Sequence, residues 1–227
     1  AEYVCAPEKA IAHKPVDVSF GAAGVAPSAA IAALQALRDY GDILPGQAVL
    51  VNGASGGVGS FAVQIAKAKG AVVTGVCSTS KMVAVRSLGA HHVIDYTQSD
   101  FAEEKDRYDL LIDAAAFRPV SELLPSLKVG GTYVMVGGST LALLQTMLWG
   151  WWFSKRSGRN VKSLMKRMRH VDLEAVSDLL ASGKIRPHID RTIAFAKLAD
   201  AFSHVEALRV IGKVAIQTPD YEATETH

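Results

Sequence analysis

Cysteine is scarce. The 227 residues hold only Cys5 and Cys77, with no C-x-x-C pair, so a disulfide-stapled secreted fold is excluded and a reduced, cytoplasmic setting is expected. Charge of either sign is not in excess. Lys and Arg total 24 against 22 Asp and Glu, a formal net charge of +2 that gives no overall pull toward nucleic acid or acidic lipid. The chain opens Ala1-Glu2-Tyr3-Val4-Cys5, without an initiator Met and without a basic segment ahead of an apolar one. It therefore does not read as a signal peptide, and a fragment is expected. The histidines are scattered apart from His91-His92, whose side chains as chain neighbours point apart, so no metal ligand set is expected. No Ser/His/Asp triad can be argued, and no catalytic acid is named.

What is there is a large apolar fraction, 49%, enough for one domain or one domain with a small annex. From Tyr133 to Phe153 no charge occurs, a length that superficially fits a membrane span. Its start argues otherwise. Thr132-Tyr133-Val134-Met135-Val136 is β-rich and is broken by Gly137-Gly138-Ser139, which predicts a buried strand, a turn and a separate apolar helix of about twelve residues.

The middle of the chain alternates short apolar runs with helix-length segments, the rhythm of a parallel sheet wrapped by helices. Strands are predicted over 47–52, 72–77, 92–95, 110–113 and 132–136, with helices running to Lys69 and over 81–88. A sixth strand is read within 161–165, weakened by Lys162, with a helical reading nearly as good. Ahead of this block 27–40 predicts a helix entered at Pro27 or Ser28, and the first fifteen residues read as two short extended pieces. After it, helices are predicted over 172–182 and 197–208 and strands over 189–193 and 213–217, with a polar, frayed tail over 220–227.

Gly53-Ala54-Ser55-Gly56-Gly57-Val58-Gly59 lies between a strongly apolar strand and an alanine-rich helix. Glycines there let the backbone turn tightly and approach an anion, while the amides and dipole of the helix start attract a pyrophosphate. The spelling also fits the Gly-x-x-x-Gly-x-Gly of short-chain dehydrogenases. Those enzymes, however, need Tyr-x-x-x-Lys, and here Tyr96 is followed by Asp100, Tyr108 by Ile112 and Tyr133 by Gly137. No Lys-Ser or Lys-Thr closes the turn, which excludes a P-loop. An acid after the second strand would hold a ribose hydroxyl; Cys77-Ser78-Thr79-Ser80-Lys81 has none. Hydroxyls and a cation suit a 2′-phosphate, so NADP is favoured over NAD and over S-adenosylmethionine. The alternative is ordinary capping, with Ser80 as an N-cap.

Together with that loop, Ala1-Glu2-Tyr3-Val4, Leu34-Gln35-Ala36-Leu37, Val93-Ile94-Asp95-Tyr96, Gly183-Lys184-Ile185-Arg186-Pro187 and Gly212-Lys213-Val214 resemble medium-chain dehydrogenases/reductases of the zinc-free quinone oxidoreductase (zeta-crystallin-like) branch. The resemblance spans nearly the whole chain. It implies an α/β fold, a Rossmann-type doubly wound parallel sheet over 24–170, flanked at 1–23 and 171–227 by remnants of a β-rich, GroES-like catalytic domain. It also implies NADPH-dependent hydride transfer to a small-molecule quinone or activated alkene (enone). By the same resemblance Ala54, Ser55, Gly56, Gly57 and Val58 meet the pyrophosphate. Ser78, Lys81 and Tyr96 surround the 2′-phosphate, and Ala115, Gly137 and Gly138 lie near the cofactor at the ends of later strands. Zinc-dependent relatives carry a cysteine near the helix beginning at Pro27, where this chain has Ser28-Ala29-Ala30, so no catalytic zinc is expected. Ala32 stands where a threonine is common. A non-catalytic NADP(H)-binding or sensing module and a zinc-free alcohol dehydrogenase-like enzyme are the alternatives.

Between Lys155 and Arg169 seven basic residues occur without an acid. A solvated helix face or loop edge explains such a run, and peripheral membrane contact from Leu141 to Arg169 competes with it. The apolar helix otherwise packs on a second subunit of a homodimer or lines the substrate cleft. No nucleic-acid partner is expected.

Overall fold

The computed structural model describes residues 4–207 and 209–218. Ala1-Glu2-Tyr3 of the opening motif, Leu208 at the expected end of the last helix, and the polar tail lie outside them. In chain order the elements are α1 (Phe20–Val25), α2 (Pro27–Gln35, continued by a π turn Ala36–Tyr40), β1 (Ala48–Asn52), α3 (Gly59–Ala68), β2 (Val72–Cys77), a 3-10 turn (Thr79–Lys81), α4 (Met82–Ser87), β3 (His92–Asp95) and β4 (Tyr108–Asp113). There follow α5 (Val120–Leu123), β5 (Leu127–Met135), α6 (Thr140–Ser157), β6 (Asn160–Ser163), α7 (His170–Ala181), β7 (Ile189–Ala194), α8 (Leu198–Glu206) and β8 (Lys213–Gln217).

β1 to β6 form one parallel sheet in the order β3-β2-β1-β4-β5-β6. The order reverses between β1 and β4, where Val49 pairs with Leu110 and Asn52 with Asp113, and a doubly wound sheet opens a crevice at such a switch point. Alternation along β1 explains why its strand is apolar throughout. Val49 and Val51 pack with Ile31, Leu34, Phe61 and Ile65 of α2 and α3 on one face, and Leu50 with Leu111, Leu123, Leu127 and Tyr133 on the other. Each such fully buried aliphatic side chain stabilises the fold by about 1.5–3 kcal/mol relative to exposure. β7 and β8 pair in a separate two-stranded sheet.

Several expectations are corrected. Residues 4–15 hold no strand but a single 3-10 turn, Glu8–Ala10, flanked by extended residues that pair with no sheet. α1 was not foreseen; its two glycines weaken the helix signal, and it starts where the Ser19 hydroxyl accepts from the Ala22 amide. Within 161–165 the strand reading holds for residues 161–163, which belong to the edge strand β6, while Leu164 and Met165 lie beyond it. β5 starts at Leu127, earlier than expected. α6 runs eighteen residues rather than about twelve: Ser139 caps its start and Gly158, left-handed at φ 66°, ends it. Among the described residues no helix is long and apolar enough to cross a membrane.

Candidate functional site

The glycine loop leaves β1 and enters α3 at the switch point, and two of its glycines are required by the backbone. Gly53 is left-handed, φ 76°, and its amide neighbours turn back so that the Gly56 amide donates to the Gly53 carbonyl at 2.9 Å. A β-carbon on Gly59 would lie 2.0 Å from that same carbonyl, so only glycine fits where the loop becomes helix. Where the loop enters α3 the amides of Ser60, Phe61 and Ala62 donate to the Gly56 and Val58 carbonyls, while those of Gly57, Val58 and Gly59 have no backbone partner among the described residues, which makes this helix start an anion site in principle.

Above the loop lies a cleft of about 540 Å³. Of the expected residues it brings together Ser55, Gly56, Gly57, Ser78, Lys81, Tyr96 and Ala115 on its lining. Four others do not reach it. Ala54 is fully buried, its amide donating to the Val76 carbonyl, and Val58 packs into the core at the head of α3. Gly137 and Gly138 stand beyond β5, bonded to Ala116 rather than open to the cleft: the Ala116 amide donates to the Gly137 carbonyl, and a bridge joins Ala116 to Gly138.

Ser80 is not a cap. The 3-10 turn is headed by Ser78, whose side chain makes no capping bond, and α4 by Lys81. The Lys81 ammonium donates to the Val210 carbonyl at 3.1 Å, tying the turn to the segment that leads into β8. Asp95, the acid closing β3, is taken up by the hydroxyls of Thr79 and Thr97, which hold its carboxyl below the ordinary range.

Lys213 is the residue that sequence reasoning missed. It opens β8, and its ammonium lies 2.7 Å from where a β-carbon on Gly57 would be. The Gly212 amide, donating to the Ser55 carbonyl at 2.8 Å, pins this strand start on the loop. Burial, and then the nearby Lys166 charge, push the Lys213 ammonium below its usual pKa, and among the described residues it has no acidic partner. A half-buried cation at a glycine cradle is a group waiting for an anion. The available signal was a lysine directly after a glycine at the head of an apolar strand.

A second missed cluster supports the floor. Asp113 is fully buried at the end of β4, where it accepts from the Tyr133 hydroxyl at 2.9 Å, the Asn52 amide at 2.8 Å and the Ala115 backbone at 3.2 Å. It thereby ties the ends of β1, β4 and β5 together. Burial raises its pKa against those three donors. Cys77 lines the cleft with its thiol pushed up to about 11 by burial, which makes it an inert wall at neutral pH. Beside the cleft, sharing Tyr96 and Ala115, is an apolar groove of about 620 Å³ flanked by Phe101, Phe117 and Arg118.

A family model described as zinc-binding dehydrogenase matches residues 88–216. The sequence is 33% identical over 220 residues to a 2-methylene-furan-3-one reductase of Solanum lycopersicum, covering 95% of this chain and 52% of that protein. It is 32% identical over 220 residues to a chloroplastic NADPH-dependent alkenal/one oxidoreductase of Arabidopsis thaliana, with the same coverage, 95% and 52%. Among solved structures, the quinone oxidoreductase from Coxiella burnetii superposes with a TM-score of 0.79 at 27% identity, over 90% of this chain and 63% of that one. The chain thus spans about half the length of the curated relatives it matches.

Proposed function

We propose that this chain, which belongs to the zinc-binding dehydrogenase family of medium-chain dehydrogenases/reductases, is the cofactor-holding part of an NADPH-dependent oxidoreductase acting on a quinone or an activated alkene. The observation that carries the reading is one wall at the switch point on which Gly56, Gly57, Ser78, Lys81, Tyr96 and Lys213 meet. Glycines whose side chains would fill the cradle, together with a half-buried cation lacking an acid, fit a dinucleotide pyrophosphate. When bound, NADPH supplies the hydride.

The chain's own residues bind and orient. The start of α3 and Lys213 hold the pyrophosphate. Ser78 and Lys81 receive the 2′-phosphate, Lys81 exchanging the Val210 carbonyl for a stronger, charged acceptor. The groove between Tyr96 and Phe117 takes the adenine. Ala54 and Val58 serve from beneath, by fixing the loop. In this reading 24–170 is the dinucleotide domain, while 1–23 and 171–227 belong to a GroES-like catalytic domain, and the setting is cytoplasmic. Zinc-independent transfer is part of the same proposal and rests on Ser28-Ala29-Ala30, where zinc-dependent relatives carry a cysteine. The named activities of the tomato and Arabidopsis relatives support the substrate class.

Fluorescence titration of the chain with NADPH and NADH, followed by NADPH oxidation on adding a small quinone or enone, tests the reading. NADPH should bind at least about tenfold more tightly, a difference of about 1.4 kcal/mol. Consumption on adding acceptor makes the chain a reductase, binding without consumption makes it a sensing module, and no binding overturns the site.

A further inference from the structure

The polarity of α6 is inverted. Toward the sheet it presents mostly small or polar residues, Ala142, Thr146, Gly150 and Ser154, with Phe153 packed on the core, and a β-carbon on Gly150 would meet Val161 of β6 at 3.5 Å. The face turned to solvent carries Leu141, Leu144, Leu148, Trp151 and Trp152, which are 46–77% exposed. These positions recur at helical spacing along about three turns, which makes a continuous apolar stripe. Scattered exposed apolar residues need no explanation; a stripe of this size marks a binding surface.

Its charge says what fits. Lys155 lies over the Trp151 ring at 5.3 Å and Arg156 over the Trp152 ring at 5.6 Å. Four of the other five basic residues are engaged with the fold: Arg159 pairs with Asp106, Arg169 with Asp39 and Asp172, Lys162 donates to the Tyr40 carbonyl and Lys166 to the Ser28 hydroxyl, while the exposed Arg167 lies beyond β6, off the helix. The patch's own charge is therefore Lys155 and Arg156. From residue 123 to 171 the sequence has no Asp or Glu, and the neighbouring Glu122 is already paired with Arg118.

A second copy of the chain is a poor occupant. A two-fold contact sets the same patch against itself, so these cations would face either their own copies or the positive start of the partner helix, with no acid to receive them. An anionic lipid surface supplies both what the stripe needs and what the cations need. Indoles settle at the headgroup level, aliphatic side chains dip below it, and the cations stay among the phosphates. We propose that α6 docks this chain onto an anionic membrane surface, lying in the plane of the interface without crossing it.

All three tryptophans of the chain lie on α6, so its intrinsic emission reports on this helix alone. Mixed with vesicles of phosphatidylcholine and phosphatidylglycerol, the full chain should co-sediment and its emission should shift to the blue. Pure phosphatidylcholine vesicles should do markedly less, and added salt should weaken binding. Lys155→Gln and Arg156→Gln should each lower partitioning about fivefold, and about 25-fold together, as expected for basic residues at a charged surface. Both side chains are exposed, so folding is not at stake. Trp151→Ser with Trp152→Ser should abolish binding with the melting temperature unchanged. Failure to bind anionic vesicles, or equal binding to neutral ones, overturns the proposal. So does a dimer in vesicle-free buffer that the tryptophan substitutions dissociate, which would make a second copy the occupant.

Discussion

The Lys213 ammonium stands 2.7 Å from the point where a side chain on Gly57 would begin, across the loop that separates β1 from α3. The bare backbone lets the flexible lysine end lie over the loop, from which it can swing aside to pair with an anion held on the loop amides. Gly57→Asp places a carboxylate where that anion would sit. The mutant side chain meets only the flexible end of Lys213, so the chain should fold with an unchanged or raised melting temperature while dinucleotide binding is lost. Retained binding in a folded Gly57→Asp protein, measured by fluorescence titration, would place the cofactor elsewhere.

Lys213→Met separates stability from binding. The ammonium has its pKa depressed by burial, so its charged form is less favourable in the folded state than in the unfolded state. That penalty is fully present below the folded pKa and fades as pH rises through it toward the unfolded value. Removing the charge should raise the melting temperature of the ligand-free protein at neutral pH. It should weaken NADPH and NADH by a similar factor, about tenfold or more, because the pyrophosphate is common to both. A selective loss of one dinucleotide would contradict the placement.

Lys81→Ala should do the reverse, weakening NADPH about tenfold and leaving NADH nearly unchanged. The lost bond to the Val210 carbonyl is part-buried, so about 1 kcal/mol of stability should go with it. Equal loss for both dinucleotides would show that Lys81 acts by holding the 209–212 segment rather than by reading a phosphate.

Asp172 anchors α7 to α2. Its carboxylate, fully buried, accepts from Arg38 at 2.6 Å, Arg169 at 2.7 Å and Gln35 at 2.7 Å. Burial works to raise its pKa, and the three donors more than offset that, leaving it lowered. Its contribution to stability is thus present above the ordinary carboxylate range and is lost as pH falls through the lowered value. Asp172→Ala should cost about 3 kcal/mol at neutral pH, the low end for a broken buried pair because both arginines remain partly hydrated. In denaturant titrations the difference from the wild type should vanish in strong acid.

Much of this protein was legible in one dimension because its chemistry is local. A strand, a turn and a helix start in immediate succession can make a glycine loop at a switch point without help from afar, and the strands β1 to β4 announce themselves as short apolar runs between turns. The absence of an acid after β2 could also be read directly. What depends on distant partners could not. Lys213 reaches Gly57 only because β8 returns to the loop through the bond between Gly212 and Ser55, more than 150 positions away in sequence. Asp113 becomes a tie between three strands only when Asn52 and Tyr133 arrive beside it. Residues 4–15 read as strand, yet a strand exists only by pairing and this segment pairs with none of the sheet edges. The inverted face of α6 was hidden as well, since an apolar helix has no inside until the sheet chooses one. Periodicity and local turn chemistry fix each element and its loop, whereas the meeting of side chains far apart in the chain is decided by packing alone.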